Sequence, residues 1–183
     1  MSPKRNGFSL IEVMVSLVIL VIGLIGIFNL HIISKQGSFE SFQQTQASYY
    51  ANDIINRMRL NRSQLSSYGT ASGISYSGTS LTVPSKLCTG ASLCSPAELK
   101  VWDVYDWQTE FIGSYEKYSG VNVGGLDTPV ACIFVKPREV IVVFTWKGIR
   151  DMSTDSTGHS SEAISCGTSD KKRRVFEVKT AII

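Results

Sequence analysis

The chain is poor in the residues that build most chemical sites. It holds two histidines and four cysteines in 183 residues, and no two cysteines stand as C-x-x-C, so a zinc site has few ligands to draw on. It has no nucleophile elbow, phosphate-cradling glycine loop or paired-histidine motif. Asp103 and Asp106, three apart on one predicted helix, read as surface decoration. Asp151 and Asp155 supply only two carboxylates, too few for calcium. The expectation is therefore a non-enzyme without metal or cofactor. Charge of one sign is also scarce: 18 basic side chains against 15 acidic give a net charge of +3. That balance argues against general electrostatic capture of nucleic acid. Proline is absent from Ser38 to Arg62, and Asp, Glu, Lys and Arg are absent from Val13 to Ile33.

What the sequence does have is concentrated at its beginning. Lys4-Arg5-Asn6-Gly7-Phe8-Ser9-Leu10-Ile11-Glu12 leads into the apolar run Val13–Ile33, whose 21 residues span about 31 Å as a helix and match a bilayer core. Glu12 is a lone carboxylate in greasy surroundings. A charge at the centre of a membrane helix costs roughly 2.5–3.5 kcal/mol on insertion scales, so something must offset it. Gly23 and Gly26 favour close helix packing, and Asn29 and the isolated His31 lie near the distal end, where polar groups reach the interface.

Gly7-Phe8-Ser9-Leu10-Ile11-Glu12-Val13 resembles the processing site of type IV pilins and the related pseudopilins. The resemblance implies cleavage between Gly7 and Phe8 by a prepilin peptidase in the membrane, then N-methylation of Phe8. It also implies that Glu12 pairs with the terminal ammonium of a neighbouring subunit during assembly. A secretory signal is cut after its apolar stretch, whereas here the site precedes it, so the helix stays in the mature protein. Lys4 and Arg5 hold the leader in the cytoplasm and place the rest of the chain beyond the inner membrane. Their loss lowers the net charge from +3 to +1. The expected organisation is a cleaved leader, 1–7; a transmembrane and filament-core helix, 8–34; an amphipathic continuation, 35–62; and a globular head, 63–183.

The continuation rests on Ala47, Ala51, Ile54 and Met58, spaced four, three and four apart and flanked by Tyr50 and Ile55. Gly37 is a candidate bend, and a helix from Phe8 to Arg62 would extend about 80 Å. Arg57, Arg59 and Arg62 read as a solvated helix end that suits the dipole. Ser66–Thr82 reads as a surface excursion or a short hairpin. Ser95, Pro96 and Glu98 form an N-cap, first-turn proline and capping box for a helix running to about Tyr115. Its Leu99, Trp102, Tyr105, Trp107, Phe111 and Ile112 read as packing. Val130–Val135, the turn Lys136-Pro137-Arg138 and Glu139–Trp146 read as a hairpin. Gly148–Asp170 is a polar loop, and Lys171–Arg174 is a solvated lead into a last strand, Val175–Thr180. The predicted class is α+β: a long N-terminal helix packed on a small antiparallel head, here a three-stranded meander with helices on one face.

For a head outside the cytoplasm, an even cysteine count favours two disulfides over zinc. Four cysteines allow three pairings, and Cys88–Cys94 with Cys132–Cys166 is favoured, closing a small loop and a long one.

Cys94-Ser95-Pro96-Ala97-Glu98-Leu99 with Asp103, Trp107 and Phe111, and Val142–Trp146 followed by Lys147-Gly148, are similar to the PilV-type minor pilins. That resemblance implies a structural subunit of a tip or priming complex that starts pilus assembly. Its partners would be other minor pilins, the major pilin and a tip adhesin, and its outputs twitching motility, adhesion and, indirectly, DNA uptake. The chain would sit in a bacterial inner membrane before assembly and in the pilus afterwards. Two alternatives share parts of the pattern: a minor pseudopilin of type II secretion, and a membrane-anchored binding module.

Overall fold

The structure is a computed structural model that describes residues 7, 9–90, 92–152 and 158–182. The chain forms two compact units, Met1–Phe39 and Glu40–Ile183. One helix, α1 (Leu10–Leu60), supplies the first unit and begins the second, and it is helical through Gly37.

Within the second unit α1 buries Gln43, Ala47, Tyr50, Ala51, Ile54, Ile55 and Met58, the stripe that the sequence spacing predicts, extended by one turn at Gln43. The helix stops where Asn61 turns to φ −120°, ψ 51°. Asn61 is buried, and its amide donates to the Pro96 carbonyl at 2.8 Å and to the Tyr68 hydroxyl at 3.2 Å. The end of α1 is thereby bonded to the start of a later helix. A 3-10 turn (Arg62–Gln64) and α2 (Leu65–Tyr68) follow, then β1 (Ile74–Ser77).

Helix α3 runs Pro96–Phe111. Ser95 caps it, accepting from the Glu98 amide, while Glu98 accepts from the Ser95 amide at 2.7 Å. It ends about one turn short of Tyr115, because Gly113 at φ 69° takes a left-handed conformation that a helix cannot continue through. A miniature hairpin, β2 (Lys117–Tyr118) and β3 (Val121–Asn122), follows, its strands too short to show a pattern of alternation. Then come β4 (Val130–Lys136), β5 (Glu139–Lys147), the short α4 (Ser161–Ser165) and β6 (Arg173–Thr180).

The sheet is antiparallel, with order β1-β4-β5-β6. Its centre is the predicted hairpin, in register from Val130 opposite Thr145 to Lys136 opposite Glu139. The three-stranded expectation is corrected to four: β1 comes from the Ser66–Thr82 stretch and pairs Ile74 with Ile133 and Ser77 with Val130. The expectation of helices on one face is corrected as well. Val140, Val142, Phe144 and Trp146 join the core built with α1 and α3, whereas Ile141 and Val143 join Cys132, Phe134, Ala163 and Cys166 on the opposite face with α4. A strand covered on both faces reads as a continuous apolar run, which is why β5 lacks polar alternation.

Disulfides join Cys88 to Cys94 and Cys132 to Cys166. The bonds close loops of sequence separation 6 and 34. In the chain-entropy picture, replacing Cys132 and Cys166 by serine should cost about 4 kcal/mol, and replacing Cys88 and Cys94 about 2 kcal/mol. Denaturant unfolding of the full chain in detergent checks the order, and equal losses would reject it.

Candidate assembly site

From Leu10 to Ile33 every large apolar side chain of α1 is exposed, among them Leu10 at 79% and Leu30 at 68%. The described helix is long and apolar enough to cross a membrane. A patch of this extent is stable only against lipid or other apolar helices. Glu12 lies in the first turn, where its amide bonds the Ser9 carbonyl at 3.0 Å and the helix dipole favours a negative charge. Its side chain is exposed, and among the described residues its carboxylate has neither a hydrogen bond nor an ion pair. Ser16 donates instead to the Glu12 backbone carbonyl at 2.8 Å. Gly7, Gly23 and Gly26 stand in open space. Lys4, Arg5 and Phe8 lie outside the described residues.

In the head, several of the charges that the sequence placed on the surface are paired, although Arg59 and Arg62 are exposed. Arg57 is only 19% exposed along its side chain. Its Nε donates to Asp53 at 2.8 Å and its Nη2 to Asp106 at 2.9 Å, with Asp103 and Glu110 each at 3.7 Å. Burial alone would lower the Arg57 pKa, but Asp53 and Asp106 outweigh it and hold the guanidinium protonated. Asp103, read from the sequence as decoration, is buried and accepts from the Tyr68 hydroxyl at 2.5 Å. Burial pushes the Asp103 pKa up, aided by Asp53 and Asp106, against the opposing Tyr68 hydrogen bond and Arg57. Burial likewise raises Glu110, with Asp106 and Asp53 adding to it. One cation thus serves four carboxylates across α1 and α3.

The basic run divides: Lys171 is exposed, as a solvated strand lead would be, but Arg173 and Arg174 are engaged. Arg174, with 12% side-chain exposure, donates to Glu40 at 2.8 Å, and Arg150 donates to the other Glu40 oxygen at 3.1 Å. Arg173 reaches the carbonyls of Ala163, Ile164 and Cys166 and so caps the C-terminus of α4. Lys136 pairs with Glu162 of α4. Sequence spacing held no signal for these contacts, because the partners come from different elements.

Among the described residues no group of histidine, cysteine, aspartate or glutamate could hold a metal ion. Asp151 is 65% exposed along its side chain, and Asp155 lies outside the described residues. Trp107 and Phe111 are fully buried as packing, and Trp102 and Tyr105 are half-buried.

The prokaryotic N-terminal methylation motif matches residues 2–28, and the family described as type IV pilin Tt1218 matches residues 30–105. Together they cover more than half of the chain. No curated protein and no solved structure was found to match it.

Two measurements probe the paired charges. Burial raises the Glu40 pKa, but the hydrogen bonds from Arg150 and Arg174 win and bring it from 4.5 down to about 2. A depressed carboxylate stabilises the fold above its unfolded pKa and loses that contribution as pH falls. Glu40→Gln should therefore flatten the fall in stability between about pH 4.5 and about 2. Arg57→Ala leaves the buried Asp103 and three half-buried carboxylates without their cation and should cost roughly 3 kcal/mol near neutral pH. The loss should shrink in acid, where Asp103 and Glu110 take up protons. Thermal unfolding of both variants against pH reads the two effects.

Proposed function

We propose that this chain, which is a type IV pilin, is a minor subunit of the pilus and works in a tip or priming complex that starts assembly. The family is structural, and its members associate with other pilins after their leader is processed. The observation that carries the reading is Glu12: a carboxylate without a partner among the described residues, in the first turn of an exposed apolar helix, inside the methylation motif.

On this reading residues 1–7 are the leader, the peptidase cuts between Gly7 and Phe8, and Phe8 receives the methyl group. Residues 8–34 hold the chain in the inner membrane and later pack in the filament core, 35–62 dock on the head, and 63–183 form the head outside the cytoplasm. A carboxylate costs roughly 2.5–3.5 kcal/mol at the centre of a membrane helix, and Glu12, in the first turn, carries a part of that cost. Pairing with the terminal ammonium of a neighbour removes that cost only when the neighbour is in register, so one contact both drives and aligns insertion. The subunit's partners are other minor pilins, the major pilin and a tip adhesin; twitching and adhesion follow from the fibre. The small net charge gives the head no general grip on DNA. The minor role is supported by the disulfide-stapled head and by the capped α3 carrying Asp103, Trp107 and Phe111, as in PilV-type subunits.

Mass spectrometry of the mature N-terminus should find a methylated Phe8; an uncut Met1 would favour a plain membrane-anchored module. Glu12→Gln should insert and be processed normally, yet yield few pili and little recovered complex. Normal pilus numbers in that variant would sink the proposal. Deleting the gene should abolish pili; loss of secreted enzymes with pili intact would instead identify a type II secretion pseudopilin.

A further inference from the structure

The β2–β3 hairpin has an exposed apolar face that the core does not use. Tyr118 pairs with Val121 and Lys117 with Asn122, and the Val123 amide bonds the Glu116 carbonyl at 2.8 Å. Side chains alternate along a strand, so Glu116, Tyr118, Val121 and Val123 share one face and Lys117 and Asn122 the other. The second face is exposed too, but from it the Asn122 amide donates to the Ile112 carbonyl at 3.2 Å. On the first face Tyr118 is 75%, Val121 65% and Val123 62% exposed.

The hairpin is built rigidly for its size. Two residues per strand would not hold in isolation. Its turn is formed by Ser119 and Gly120 at φ 50° and 81°, the left-handed pair that a tight two-residue hairpin requires. At its base Gly113 and Gly124 touch so closely that a Cβ on Gly113 would meet the Gly124 carbonyl oxygen at 2.0 Å. The Leu126 amide bonds the Phe111 carbonyl at 2.9 Å, fixing the base to the end of α3. An apolar face held in place this way loses little conformational entropy on docking.

The surroundings are acidic. The Tyr115 hydroxyl donates to Asp106 at 2.9 Å, Glu116 lies over Gly124, and Glu110 and Glu116 both act on Tyr50. Arg57, at the α1–α3 contact, is already shared among four carboxylates, and Lys117, exposed on the opposite face of the hairpin, is one cation against Glu116 and these acids. Two copies of this face brought together would set Glu116 against Glu116, which disfavours a self-paired contact.

We propose that the Tyr118–Val121–Val123 face of the hairpin docks an apolar surface flanked by lysine or arginine on the head of a neighbouring, different pilin subunit. The source of the partner rests on the pilin reading; the chemistry of the contact rests on the hairpin itself.

The test places the photocrosslinker p-benzoylphenylalanine at position 118 of the full chain, in cells that make pili, and identifies the adduct by mass spectrometry. The expected adduct joins position 118 to a head peptide of another pilin that contains lysine or arginine beside apolar residues. Adding Glu116→Lys or Val121→Ser should lower its yield at least fivefold, with leader processing and melting temperature unchanged. An adduct with lipid or with this chain's own peptides would overturn the inference. So would a processed chain recovered in sheared pili without an adduct, or a yield indifferent to Glu116→Lys. An uncut chain absent from sheared pili would instead defeat the pilin reading, so the two failures are told apart.

Discussion

The indole of Trp107 sits where four elements of the head meet, and its N–H reaches the carbonyl of Tyr50 at 2.8 Å. Its ring lies edge-on to Phe111 at 4.8 Å, to Phe144 of β5 at 5.5 Å and to Tyr76 of β1 at 5.7 Å. Edge-to-face pairs of this kind add about 0.5–1.5 kcal/mol each beyond the area they bury. The hydrogen bond does something that burial cannot, because it fixes the phase of α1. Turning the helix by one residue rotates it about 100°, which would carry the Tyr50 carbonyl away from the indole and lift Ala47, Ile54 and Met58 off the sheet. The aromatic β1 residue is held in turn, since the Tyr76 hydroxyl donates to the Tyr68 carbonyl at 2.7 Å.

Charge follows the same geometry. On the α3 side four carboxylates surround one arginine, and at the beginning of the second unit one carboxylate, Glu40, receives two arginines. The head is close to neutral in sum yet locally acidic on one side and locally basic on another. A subunit with that distribution can tell neighbours apart by charge while keeping a small net charge.

The parts legible in the sequence are those specified by near neighbours. The stripe Ala47–Met58 follows helical spacing, Ser95-Pro96-Ala97-Glu98 spells out a capped start, and Pro137-Arg138 marks the turn of β4–β5. The leader pattern around Gly7 and Glu12 was likewise readable, because leader charge, glycine and carboxylate stand within a few residues. What was not legible depends on distant partners. β1 is four residues of a Ser- and Gly-rich stretch, and only Ile74 and Tyr76 join the core. Arg57 reads as a helix-end cation until Asp106, 49 residues away, is brought to it. Arg174 reads as solvated until Glu40, 134 residues away, meets it. The end of α3 turns on the backbone of Gly113, a choice that the helical periodicity of its side chains conceals.

The Cys132–Cys166 bond decides how firmly the second sheet face is covered. Helix α4 has five residues, far below the length at which a helix holds by itself, and it lies on the sheet face that carries Phe134, Ile141 and Val143. Arg173 and Lys136 grip α4 only once it is there. The 34-residue span takes in the β4–β5 hairpin, so the bond ties the second face of that hairpin to the segment that carries α4. Breaking the bond would remove the covalent tether that holds this short helix over Phe134, Ile141 and Val143, leaving the cover to the side-chain grips alone.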